Sequence, residues 1–301
     1  MKHKLTLAIT LLAATAAPAK LTVVATLPDF GSIAQRIGGD AVTVTTLVRS
    51  GEDPHFVVPK PSFIRTLNKA DLLVEGGADL ESGWLPPLVE GARNSKILPG
   101  APGRVSLAGS VEVIEVPTGP VDRSAGDVHP RGNPHFWLDP ANGKRIAAAL
   151  AAAFSRLDPA GADGFKQRLA AFDAELDAKA AAWNKDLQPY AGTKVVTYHK
   201  TFDYLLRRFG FDLVGTIEPK PGIEPSAAHI TALTASMKAQ GVKLILCEPY
   251  RPRKSAEQLA AATGAKLVVL PDKCGEAPAG DYLSLFDTQV AALLKAFQPS
   301  P

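Results

Sequence analysis

From Gly164 to Leu187 the apolar residues Phe165, Leu169, Phe172, Leu176, Ala180 and Trp183 recur every three or four positions, the spacing of one face of a single continuous helix. At 1.5 Å per residue that helix is about 35 Å long, enough to run the height of one domain and reach the next. Whatever lies on either side of it is tied to an interdomain spine. Before the spine the chain alternates. A β-branched strand at Lys20 to Thr26 is followed by a helix at Asp29 to Ile37 that ends in Gly38-Gly39. Then come a strand at Val42 to Leu47, a helix at Pro61 to Lys69, a strand at Asp71 to Val74 and a helix at Leu80 to Ala92 around Trp84. Between Gly100 and Gly132 the pattern dissolves into Gly, Pro and short polar pieces, with only Val111 to Val116 strand-like, and a helix at Ala141 to Leu157 follows. Beyond the spine the alternation resumes with strands at Lys194 to Tyr198, Phe211 to Ile217, Lys243 to Cys247 and Lys266 to Leu270. Helices fill the gaps, one of them at Ser226 to Ala239, and the last runs from Asp281 to Phe297 with Asp281 as its N-cap. Alternation of this kind predicts parallel sheets. The expected fold is therefore α/β. Two lobes, residues 20–158 and 190–301, each hold a mostly parallel sheet flanked by helices and are joined by one long rigid helix within 159–189.

A chain of 301 residues that is 46% hydrophobic and 21% charged is globular and long enough for two cores. Its start has the three parts of a secretory signal peptide: Met1-Lys2-His3-Lys4, an apolar run from Leu5 to Ala14, and Ala17-Pro18-Ala19. Cleavage is expected after Ala19, which leaves a soluble periplasmic protein. The apolar run is too short for a permanent span, and no other stretch approaches the roughly 20 apolar residues that spanning needs. Losing Lys2 and Lys4 lowers the formal net charge from +3 to +1, a balance that carries no footprint for nucleic acid or a membrane surface. No cysteine follows the apolar run, which argues against a lipid anchor. The two cysteines, Cys247 and Cys274, lie at or just past the carboxyl ends of strands linked through one helix. In an oxidising compartment they are expected to form a disulfide, the alternative being that Cys247 is simply a buried core thiol.

The candidate chemistry sits on histidines. Asn133-Pro134-His135-Phe136 nearly repeats Asp53-Pro54-His55-Phe56. In each, the X-Pro pair holds its first residue extended and fixes the proline φ, so the imidazole that follows has a restricted orientation, as a metal ligand requires. Either site alone reads as an ordinary turn with a buried Phe; the pair, together with His199, points to a metal. His55, His199 and Asp272 all follow predicted strands, and ligands bind outside the carboxyl ends of strands in open parallel sheets. Asp272, the candidate fourth ligand, also reads as a helix or turn cap. Glu218 and Glu248 are candidates to orient a ligand His through its second ring nitrogen, or else surface acids. His229 falls within a predicted helix and reads as structural; His129 reads as an exposed loop residue first and as a metal-capturing one second. Three imidazoles and one carboxylate suit a borderline divalent ion such as zinc.

Several separate stretches resemble the zinc and manganese solute-binding proteins of bacterial ABC importers, the TroA-like periplasmic metal-binding family. They are Asp53-Pro54-His55 with Pro61-Ser62, Ala70-Asp71-Leu72-Leu73-Val74 with Gly76 and with Glu81 near Trp84, Asn133-Pro134-His135 with Trp137-Leu138-Asp139-Pro140, and Tyr198-His199 with Phe202. The likeness spans nearly all of the chain beyond the leader. It implies two α/β lobes joined by a rigid helix, with the metal held between them and delivered to a permease in the inner membrane. It also implies that His55, His135 and His199 are the family's histidine ligands and Asp272 its late carboxylate. Two departures stand out. Val57-Val58 replace the family's usual aromatic residue and Glu, and His129 stands alone where many zinc-specific members carry a His-rich run. The expected function is binding of a divalent transition metal, zinc ahead of manganese, by a monomer that is not an enzyme, does not insert into the membrane and binds no nucleic acid. A zinc hydrolase is the rival from another class, but His-Glu-x-x-His and Gly-x-Ser-x-Gly motifs are both missing. A binding protein for an organic solute would need an aromatic-lined cleft, and aromatics make up only 7% of the chain.

Overall fold

The computed structural model describes residues 20–119 and 129–299. The expected leader and its cleavage point lie outside the described residues. Strands β1 (Leu21–Ala25), β2 (Val42–Thr46), β3 (Leu72–Glu75) and β4 (Arg104–Ser106) form one parallel sheet in the order β2-β1-β3-β4. Strands β5 (Lys194–Thr197), β6 (Asp212–Thr216), β7 (Leu244–Cys247) and β8 (Lys266–Val269) form a second, parallel throughout, in the order β6-β5-β7-β8. The same winding thus occurs twice. The central strands are near-continuous buried runs, such as Val23-Val24-Ala25 and Leu244 to Cys247, because helices cover both faces of each sheet.

Those helices are α1 (Pro28–Gly38), α2 (Pro61–Asn68), α3 (Leu85–Ala92), α4 (Pro140–Leu157), α5 (Ala162–Leu187), α6 (Asp203–Phe209), α7 (Ala227–Gln240), α8 (Lys254–Thr263) and α9 (Tyr282–Phe297). The spine α5 has 26 residues and buries Phe165, Phe172, Leu176, Trp183 and Leu187. Toward its start the Arg168 Nε donates to the Ile37 carbonyl of α1, and near its end the Trp183 indole donates to Asp287 of α9. One helix is thereby fastened to an element of each lobe. A single apolar cluster follows it across the lobes, from Phe30 and Trp137 to Leu246 and Phe286, and a smaller one lies under α7 and α8. Among the described residues no helix is long and apolar enough to cross a membrane.

Three expectations are corrected. Val111 to Val116 is no strand; the fourth strand of the first sheet is Arg104–Ser106, three residues long and too short to show an alternation. Its approach to the sheet depends on Gly103, where a Cβ would lie 2.4 Å from the Asp71 carbonyl oxygen. The helix expected from Leu80 begins only at Leu85, because Ala78 and Asp79 have φ of 49° and 66° and the chain turns through Leu80 to Trp84. The two cysteines are free and buried. β7 and β8 are indeed neighbours, but the loop after β8 crosses to the other lobe, where the Cys274 N–H donates to Asp29 of α1 at 3.1 Å.

Candidate metal centre

The repeated Asx-Pro-His is one device used twice. In the loop between β2 and α2, Asp53 Oδ1 accepts from the backbone N–H of His55 at 3.0 Å and meets its ring Nδ1 at 2.8 Å. In the turn before α4, Asn133 Oδ1 accepts from the N–H of His135 at 3.0 Å and meets its Nδ1 at 2.9 Å. The proline between holds the acceptor extended so that one oxygen reaches both groups. Each turn is pinned by an indole: Trp84 Nε1 donates to the Pro54 carbonyl at 2.9 Å, and Trp137 Nε1 to the Asp272 carbonyl at 2.7 Å. His199 directly follows Tyr198 at the end of β5, and its Nδ1 meets Glu218 Oε2 at 2.8 Å.

With Nδ1 of all three rings facing an acceptor, the assigned tautomer carries its proton there and the Nε2 lone pair is the free donor. The Nε2 atoms of His55 and His135 are buried with no protein partner. The rings converge at centroid separations of 5.1, 5.4 and 5.3 Å, and one donor atom from each lies within 4.8 Å of the others. Tetrahedral zinc with nitrogens at its usual bond length would space them ~3.4 Å apart, so the three rings would close up around it. Burial, then the neighbouring imidazoles, holds the His135 pKa well below the usual histidine value. Burial also lowers the His199 pKa, against the opposing pull of Glu218. Both rings are neutral at neutral pH, the form that ligates metal. Burial alone would raise Asp53 and Glu218, but the imidazoles and Arg251 hold both carboxyls below the ordinary range.

Asp272 is not in the 4.8 Å group. Its carboxylate is fully buried, with Oδ2 taken by the Lys273 ammonium at 2.6 Å and the Tyr250 hydroxyl at 3.0 Å, and Oδ1 uncommitted. Of the two acids considered for orienting a ligand, Glu218 meets a triad imidazole; Glu248 is fully buried, and burial raises its pKa to about 7. His229 sits on α7 with Nε2 against the Thr216 carbonyl, outside the group. His129 departs from the exposed reading: its ring stacks on His55 at 5.2 Å, its Nε2 is buried without a partner, and burial lowers its pKa to about 3. Sequence reasoning missed Arg251 and Lys273. Arg251 carries one legible signal, its place just past the carboxyl end of β7. Beside the triad an open groove of about 840 Å³ runs past Phe56, Val58, Asp79 and His129 to His55.

A sequence model of the family described as "ZnuA: Zinc-uptake complex component A periplasmic" matches residues 23–296. The zinc-binding lipoprotein AdcA of Streptococcus pneumoniae is 26% identical over 287 residues, which cover 92% of this chain but only 56% of that protein. The chain therefore spans little more than half the length of that relative. The iron-binding protein YfeA of Yersinia pestis is also 26% identical over 287 residues, covering 92% of this chain and 86% of YfeA. Among solved structures, a zinc-bound ZnuA deletion mutant superposes with a TM-score of 0.78 at 28% identity, over 94% of this chain and all of that one.

Proposed function

The chain belongs to the family of periplasmic zinc-uptake components, and on that premise we propose that it binds one zinc ion between its lobes and delivers it to an ABC permease. His55, His135 and His199 are the ligands of this reading, through Nε2. Asp272, whose Oδ1 is uncommitted, is its anionic fourth. The observation that carries the proposal is the convergence of three imidazoles from separate loops, each aimed by an acceptor on Nδ1. Nitrogen donors in this number favour zinc over manganese, which takes oxygen donors and higher coordination numbers. The relatives are named for binding zinc or iron, and the reading is of a carrier without catalysis, monomeric, exported by a leader that ends at Ala19.

Elemental analysis and calorimetry on the purified chain test this directly. One zinc per chain is expected, retained against equal free manganese. His135→Ala should weaken zinc binding by more than the 10–100-fold typical of an orienting residue, while His229→Ala leaves it unchanged. Equal losses in the two variants would refute the ligand set. Asp272→Asn tests the fourth position: a cobalt-loaded variant with the wild-type visible spectrum would remove Asp272 from the coordination sphere.

A further inference from the structure

Arg251 lies in the loop after β7, with its side chain 11% exposed, and its guanidinium rests over the rings of Tyr198 and Tyr250. One terminal nitrogen is 3.1 Å from Glu218 Oε1 and the other 3.4 Å from Asp53 Oδ2. These are the carboxylates that orient His199 and His55, and in each the second oxygen is the one on the imidazole. A single chain of contacts thus runs His55, Asp53, Arg251, Glu218, His199. It begins on a loop of the first lobe and ends in the second. The planar fork makes this possible, since it presents donors to two acids at fixed separation.

We infer that Arg251 is a positioning residue for the metal site: it fixes His55 relative to His199 across the lobes by holding the far oxygen of each orienting carboxylate. The inference rests on the reading of the three histidines as ligands. It makes a prediction of sign that charge alone reverses. A cation close to a divalent metal repels it, so if Arg251 acted only through its field, its removal would tighten binding. If it positions the ligands, removal frees the buried Glu218 and the half-buried Asp53 to repel each other and lets both imidazoles wander. Binding then weakens.

The experiment measures zinc affinity by chelator competition, zinc release by stopped flow, and the visible spectrum of the cobalt-loaded protein for wild type, Arg251→Met and Arg251→Lys. Near-UV circular dichroism of the metal-free forms confirms folding. Arg251→Met is expected to bind zinc at least about tenfold more weakly, mainly through faster release, with altered cobalt bands. Arg251→Lys, which keeps the charge and loses the fork, should fall between it and wild type. Unchanged or tighter zinc binding by folded Arg251→Met overturns the inference. If that variant does not fold, Arg251→Lys decides, and wild-type affinity and spectrum in it overturn the inference equally. A wild-type protein that binds no zinc would instead remove the ligand reading on which the inference stands.

Discussion

Each imidazole of the triad is aimed from behind, but the three acceptors differ in charge: Asp53, the amide of Asn133, and Glu218. A carboxylate both orients a ring and raises the basicity of its Nε2, whereas an amide only orients it. Replacing Glu218 by Gln keeps an acceptor and removes the charge, so zinc affinity measured by competition should fall by about 10- to 100-fold. Asn133→Asp should not repay that loss. Its amide nitrogen donates to Glu115 Oε2 at 3.1 Å and to the Lys200 carbonyl at 2.9 Å, and an aspartate would turn both contacts into repulsions. What the chain declares at this scale follows from spacing. The Asx-Pro-His repeat was legible as two constrained turns. The double duty of the Asx oxygen was not, because it depends on a closure two residues long that residue types alone do not specify. Lys273 was silent, and Arg251 carried only its place after β7, for a different reason: a charged residue in a loop reads as solvated until its burial is known.

Among elements, the turn that carries His135 is held from the far lobe. The Tyr282 hydroxyl on α9 donates to the Trp137 carbonyl at 2.8 Å, and its ring lies against α4 at Gly143, where a Cβ would sit 2.6 Å from the ring. Gly143→Ala should therefore force the α4–α9 contact apart, costing about 1 to 3 kcal/mol in thermal or denaturant unfolding despite the higher helix propensity of alanine. Long periodic elements such as α5 and the buried β-branched strands were plain in the sequence, since burial itself writes their pattern. The three-residue β4 left no such trace, and the Leu80 to Trp84 turn was hidden by apolar residues that pack as well in a turn as in a helix. The expected disulfide failed on the same point. Neighbouring strands did follow one another, but the loop that leaves β8 was free to cross to Asp29. Both thiols are buried, and burial raises the Cys247 pKa to about 12 and carries that of Cys274 higher still. Ellman titration should find two thiols in the denatured, unreduced protein and slow reaction of both in the native one.

For the whole molecule the site behaves as a proton-linked device, because metal and protons compete for the same lone pairs. Reference histidine titrates near 6.5, and ligands with that value would lose zinc steeply below it. Burial holds the folded pKa of His135 and His199 under the reference, so in the folded protein proton competition at these two rings sets in lower. The sign for stability follows. Above pH 6.5 folded and unfolded rings are both neutral and contribute nothing; below it the unfolded rings take protons that the folded ones refuse, and metal-free stability falls with falling pH. The buried acids work oppositely. Asp29, Glu81 and Glu248 are pushed by burial to about 7, so from about pH 4 to 7 the unfolded chain has lost protons that the folded one keeps, and their contribution falls as pH rises. Stability alone therefore hides the histidines behind the acids, but zinc affinity does not, since none of those acids belongs to the imidazole group. Zinc titrations from pH 8 to 5 should show affinity within a few-fold of its neutral value at pH 6, then a decline with more than one proton taken up per metal released. A steep loss centred on pH 6.5 would mean that the rings titrate as exposed histidines and that the buried convergence described here does not persist in the metal-free protein.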